Sequence, residues 1–185
     1  MLEKIIDLDK SLFVFLNNLG SEPFDAIWLL ITKQFNWIPF FLLLAYILYK
    51  KVNQKQFLYA LVFIALMITF SDQTINLIKN NVQRLRPCND EKLTGLIRIV
   101  KDSETFSYFS GHAANSMAAM MFLFLIFRQH YKYSYLIFLY PLIFAYSRIY
   151  LGLHFPLDII SGYVFGSLVG ILFYSIYRKV TNKFS

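Results

Sequence analysis

Apolar runs at residues 36–49, 57–78, 112–127, 134–151 and 157–177 dominate this chain and leave few folds open to it. Each comes near the roughly 20 residues that a helix needs to cross a hydrocarbon core. The first is short, but Trp37 and Tyr49 near its ends suit the aromatic belt at a membrane interface. Composition agrees. Of the 185 residues 57% are hydrophobic and 16% charged, where a soluble domain carries about 25% charged residues. The expectation is an all-α, polytopic transmembrane helix bundle of five to six spans, forming a single domain over 1–185. The sixth span would be built from residues 12–34.

At 100° per residue, Leu2, Ile5, Ile6, Leu8, Leu12, Phe13, Phe15, Leu16 and Leu19 fall on one side of a helix. Glu3, Lys4, Asp7, Lys10, Ser11, Asn17 and Asn18 fall on the other, with Asp9 and Val14 as the exceptions. Residues 1–34 therefore read as an amphipathic, interfacial region, or as the start of an imperfect first span. The opening is acidic rather than basic, and Asn17, Asn18 and Gly20 break the apolar stretch behind it, so it does not read as a cleaved signal. A second apolar piece, Phe24 to Ile31, is too short to cross alone.

The net charge of +7 invites a nucleic-acid partner, but its distribution argues against one. Lys50, Lys51 and Lys55 lie between two apolar runs, Arg128 and Lys132 between two others, and Arg178, Lys179 and Lys183 near the end. No carboxylate accompanies them, as expected for the cytoplasmic ends of membrane helices. No basic groove with stacking aromatics is visible. The long connection 79–111 falls on the opposite side and is expected to be an extracytoplasmic loop. A single cysteine, Cys88, excludes an internal disulfide and argues against a thiolate metal cluster. In the last run Gly162, Gly166 and Gly170 form a small-residue stripe. Such a stripe admits a close helix contact, either within the monomer or at a homodimer seam.

Three clusters carry ionisable groups to that one membrane face, where they are costly and so expected to be functional. In "KNNVQRLRP", Lys79, Gln83 and Arg86 share a helix face if the preceding helix continues, with Asp72 and Asn76 extending it inward. Pro87 disfavours helix at Arg86. Two cations at a helix end suit an oxyanion. In "YFSGHAAN", Ser110 is a candidate N-cap, Gly111 permits close approach of a ligand, and His112 opens a helix whose N–H groups point at anions. In "YSRIYLGLHFPLD", Arg148 is a third cation, and His154 and Asp158 stand four apart on a helix begun by Pro156. There a carboxylate fixes and strengthens an imidazole. Three cations, two histidines and one carboxylate suit phosphoryl transfer through an enzyme nucleophile, with charge stabilisation in place of a metal. Metal ligation is disfavoured, since the three cations would repel a divalent ion.

Taken together, Lys79-x6-Arg86-Pro87, Ser110-Gly111-His112 and Ser147-Arg148-x5-His154-x3-Asp158 resemble the three-part signature of the type 2 phosphatidic acid phosphatase family. That family includes bacterial membrane lipid phosphatases and, more distantly, vanadium haloperoxidases. One departure stands out: the family usually has proline before Ser-Gly-His, and here Phe109 stands there, which bears on loop rigidity. The resemblance implies metal-independent hydrolysis of a membrane lipid phosphate or diphosphate, without a cofactor. His154 would be the nucleophile, giving a phosphohistidine, and Asp158 would hold its tautomer. His112 would protonate the leaving oxygen and then activate water. Lys79, Arg86 and Arg148 would bind the phosphoryl oxygens, helped by the Ser110 hydroxyl and the Gly111 N–H. It also implies a multi-pass protein of a bacterial cytoplasmic membrane, with its site on the extracytoplasmic side.

Undecaprenyl diphosphate, phosphatidylglycerol phosphate and lipid A phosphates all present the same handle, with a prenyl diphosphate or glycerolipid mildly preferred for so small a chain. An anion transporter would want polar residues along the spans, and runs such as 40–49 and 117–127 nearly lack them. An inactive lipid-binding relative would not be expected to keep His112, His154 and Asp158. The haloperoxidase branch is much larger and soluble. His130, between Arg128 and Lys132, matches no part of the signature and reads as a solvated or interfacial residue.

Overall fold

A computed structural model describes residues 2–183, the side chain of Leu2 excepted, and among them every regular element is helical. Leu2, expected on the apolar face, thus lies outside the described side chains. The α-helices are α1 (Leu2–Asn18), α2 (Asp25–Ile31), α3 (Ile38–Lys51), α4 (Gln54–Val82), α5 (Gly111–Phe127), α6 (Leu139–Tyr150) and α7 (Pro156–Lys183).

Among the described residues two helices, α4 and α7, are long and apolar enough to cross a membrane, and residues 22–31 with 34–51 form a third candidate bent by 69°. α5 has 17 residues and is also apolar. Residues 12–34, the expected sixth span, are not one helix. α1 stops at Asn18, Pro23 opens a single 3-10 turn over Glu22–Phe24, and α2 runs separately to Ile31. The run 134–151 is also divided, into a 3-10 segment Ser134–Phe138 and then α6. Pro141 explains the break, because it has no N–H to donate and is tolerated only in a helix's first turn.

α5 is apolar on every side, as a helix enclosed by others must be. Ala113, Ala118, Met120 and Phe122 have no exposure, and α4, α6 and α7 surround it. The glycine stripe explains the closeness of α7. A Cβ on Gly162 would lie 2.8 Å from Ser110 O, on Gly166 2.2 Å from Ala114 O, and on Gly170 2.7 Å from Ala118 O. The first reading of the stripe, contact within the monomer, is what the chain uses. α5 covers all three glycines within the chain.

α1 turns a stripe spaced by four residues, Asp9, Phe13 and Asn17, into the protein, while Ile5, Leu8, Leu12, Phe15 and Leu19 stay exposed. The inward face is thus not the apolar one. Asn17 fixes it by donating to Ile149 O at 3.0 Å and accepting from Arg98 N at 2.7 Å.

Candidate active site

Four helix ends meet at one end of the bundle: the C-termini of α4 and α6 and the N-termini of α5 and α7. Each signature cluster sits on one of these ends or in the segment beside it. Lys79 is in the last turn of α4, Arg148 in the last turn of α6, His112 is the second residue of α5, and Asp158 is in the first turn of α7. His130 lies elsewhere, lining a pocket with Lys51 and Arg178.

The expected helical face through Lys79, Gln83 and Arg86 does not form. Gln83 takes a left-handed conformation, φ 50°, and ends α4, while Arg86 is extended ahead of Pro87. The residue before proline is pushed out of the helical region, which is why the register is lost there. Arg86 reaches the site by another route, clamped through Nε on Thr105 O at 2.7 Å and through an Nη on Thr105 Oγ1 at 2.8 Å. Lys79 donates to Phe106 O at 3.0 Å. Arg148 donates to Thr32 Oγ1 at 2.6 Å, and its buried Nε has no hydrogen-bond partner among the described residues.

His154 is almost fully buried and is tied to α6, since Leu153 N and His154 N both donate to Arg148 O. Its Nε2 is 3.1 Å from an Nη of Arg86, and its Nδ1 is 3.5 Å from Asp158 Oδ2. A guanidinium has only donors, so Nε2 must present its lone pair and the ring proton belongs on Nδ1, facing the carboxylate. Asp158, with no exposure, is held on several sides. It accepts from Phe155 N at 2.9 Å, from Arg84 at 2.7 Å and from the Ser107 hydroxyl, whose oxygen is 3.4 Å from His154 Nδ1.

Ser110 caps α5 as its sequence position suggests, its hydroxyl accepting from Ala113 N at 3.3 Å, while its own N–H donates to Asp158 O at 3.0 Å. Gly111 follows, where a Cβ would meet nothing closer than 3.8 Å. His112 packs on Phe144 with ring centroids 5.0 Å apart, and Arg148, His154, Lys79 and Arg86 all lie within electrostatic reach of it. All eight expected residues are therefore brought to one place. Arg84, Ser107, Thr32 and Asp9 were not expected there.

An open groove of about 570 Å³ leaves this place between α3, α4, α5 and α6. His112, Gly111, Asp72, Asn115 and Gln34 line its polar end, and its lining reaches Leu48 and Leu123. From His112 to Leu123 the helical rise alone is about 16 Å. Asp72 of α4 accepts at 2.5 Å from Asn115, which stands about one turn after His112 on α5, so a carboxylate faces the groove there. No group of three or more metal-ligating side chains occurs among the described residues.

The helical bundle thus gathers two histidines, a carboxylate and three cations at one of its ends, an inventory that suits an oxyanion. The model of the PAP2 superfamily matches residues 56–182, and the chain belongs to that family. It is similar to the lipid A 4'-phosphatase of Bacteroides thetaiotaomicron, 38% identical over 99% of this chain and 83% of the relative. It is also similar to the undecaprenyl-diphosphatase of Sulfolobus acidocaldarius, 26% identical over 92% of this chain and 79% of that protein. Its fold matches the crystal structure of a transmembrane PAP2-type phosphatidylglycerolphosphate phosphatase from Bacillus subtilis, with TM-score 0.72 and 17% identity over 96% of this chain and 88% of that one.

Proposed function

We propose that the protein is a lipid phosphatase that hydrolyses a phosphomonoester on a glycolipid of the lipid A type, through a phosphohistidine on His154. The observation that carries this is the paired orientation of His154, with Nε2 toward the cations and Nδ1 toward Asp158. In the proposed reaction Lys79, Arg86 and Arg148 hold the phosphoryl oxygens, and the unpartnered Nε of Arg148 supplies one of these bonds. The Ser110 hydroxyl keeps its own proton to donate. Nε2 forms a bond to phosphorus as the bond to the lipid oxygen breaks, and His112 gives that oxygen a proton. Neutral His112 then takes a proton from water, whose oxygen attacks phosphorus and breaks the P–N bond. Inorganic phosphate leaves and both histidines are restored.

Two features favour the glycolipid over the prenyl diphosphate and glycerolipid expected from chain size. Identity is higher to the lipid A 4'-phosphatase. The polar end of the groove also offers Asp72 and Asn115, acceptor and amide, to a leaving group that carries hydroxyls and amides. A carboxylate there would repel the second charge of a diphosphate. Residues 79–111 act as the active-site loop, 1–34 as an interfacial region, and the site faces the extracytoplasmic side of a cytoplasmic membrane.

Phosphate release from a panel of lipid phosphates in detergent tests this reading. A lipid A phosphomonoester is expected to be hydrolysed fastest, with the rate unchanged by a chelator; loss of activity with chelator would return the reaction to a metal. Orientation is tested by labelling Cys88 with a membrane-impermeant thiol reagent on intact cells. Burial, and then the nearby Asp102, push the Cys88 thiol up. Labelling is therefore expected from outside, slowly at neutral pH and faster as pH rises. Labelling only after lysis would reverse the orientation.

A further inference from the structure

Of the three carboxylates on α1, Glu3 and Asp7 are exposed and Asp9 is buried. Asp9 Oδ2 accepts from one Nη of Arg84 at 2.6 Å, and the other Nη of the same guanidinium donates to Asp158 Oδ1 at 2.7 Å. We propose that Asp9 and Arg84 are positioning residues of the reaction, a charged brace by which the N-terminal helix sets the carboxylate that orients His154. The proposal rests on the reading of His154 as nucleophile.

The brace has further contacts beside its two ion pairs. Arg84 Cζ lies 4.1 Å from the centroid of the Phe155 ring, and that ring packs edge-on against Phe13 of α1 at 5.3 Å. Arg84 is thus also in contact with the residue next to His154. Asp9 Oδ1 accepts from Leu157 N at 2.7 Å, one of the first-turn N–H groups of α7 that no helical carbonyl reaches. One carboxylate thus caps the helix that carries Asp158 and also braces Asp158's cation.

Charge makes this more than a structural tie. Attack by Nε2 on phosphorus turns the neutral imidazole into a cationic phosphoimidazole with its proton on Nδ1. Asp9, Arg84 and Asp158 together carry a net charge of −1, which faces that proton. Neutralising Asp9 leaves Asp158 and Arg84 with no net charge, so the charged intermediate is less stabilised while the substrate's phosphate contacts stay as they were. Such a loss falls on the chemical step and not on binding. A pair needed only for folding would affect stability without this split.

The experiment is a set of variants assayed with the lipid phosphate that wild type hydrolyses best. D9N keeps a side chain of the same shape and an oxygen to accept from Leu157 N. R84K keeps the charge but cannot fork onto two carboxylates. Each is expected to lower kcat by about tenfold, with KM within about twofold, and the double variant is expected to be no slower than the slower single one, as for residues that act as a unit. D9N with wild-type kcat would overturn the proposal, as would losses that multiply in the double variant or a fall in kcat matched by a rise in KM. Active wild type with inactive H154A alongside a fully active D9N would indict the brace alone. H154A that still turns over would indict the nucleophile, and the brace with it.

Discussion

Replacement of His154 by alanine is expected to lower kcat by about 10⁴-fold or more, the scale seen when a covalent nucleophile is removed. The reason is geometric. Nε2 is the unprotonated ring nitrogen and faces the Arg86 guanidinium, while Nδ1 faces Asp158. Without the imidazole the phosphate would still meet Lys79, Arg86 and Arg148, so KM is expected to change little. His112→Ala should cost less, about 10²- to 10⁴-fold, since general acid–base groups contribute on that scale and water can partly replace one. Initial rates of phosphate release across a substrate series check both. Equal rates for wild type and H154A would place the nucleophile elsewhere.

The second large effect concerns the fold. Gly166→Ala is expected to destabilise the protein by about 3 kcal/mol, at the upper end for an overpacked core. The added Cβ would stand 2.2 Å from Ala114 O, a backbone atom that cannot swing aside. Ala114 lies two residues after His112, so α5 must shift, and the catalytic end of the bundle with it. Thermal unfolding in detergent should show a lowered midpoint together with lost activity. An unchanged midpoint would mean that α5 and α7 are not packed as described.

Much of this site could be read in the sequence because each cluster is local. Ser110-Gly111-His112 needs only a helix start, and His154 and Asp158 need only the short entry to α7, although His154 stands two residues before that helix begins and not on it as its spacing suggested. What could not be read is how distant stretches meet. Arg84 bonds Asp158 across 74 positions and Asp9 across 75, separations that no periodicity records. Asp9 did leave a trace, as an acid on the wrong side of an otherwise ordered amphipathic pattern. That misplacement is the one signal that could have drawn α1 into the site. Arg86 shows the opposite case: it reaches the expected place, but through Thr105 and not along the helical face that its spacing suggested, because Gln83 and Pro87 end the helix first.

The central claim is that phosphorus passes through the enzyme on its way to water. The stereochemical course of hydrolysis tests it directly, using a lipid phosphorothioate made chiral at phosphorus with oxygen isotopes. Two displacements, one at His154 and one by water, each invert the centre, so overall retention is expected. Overall inversion would mean that water attacks the substrate directly, and no phosphohistidine would then lie on the path.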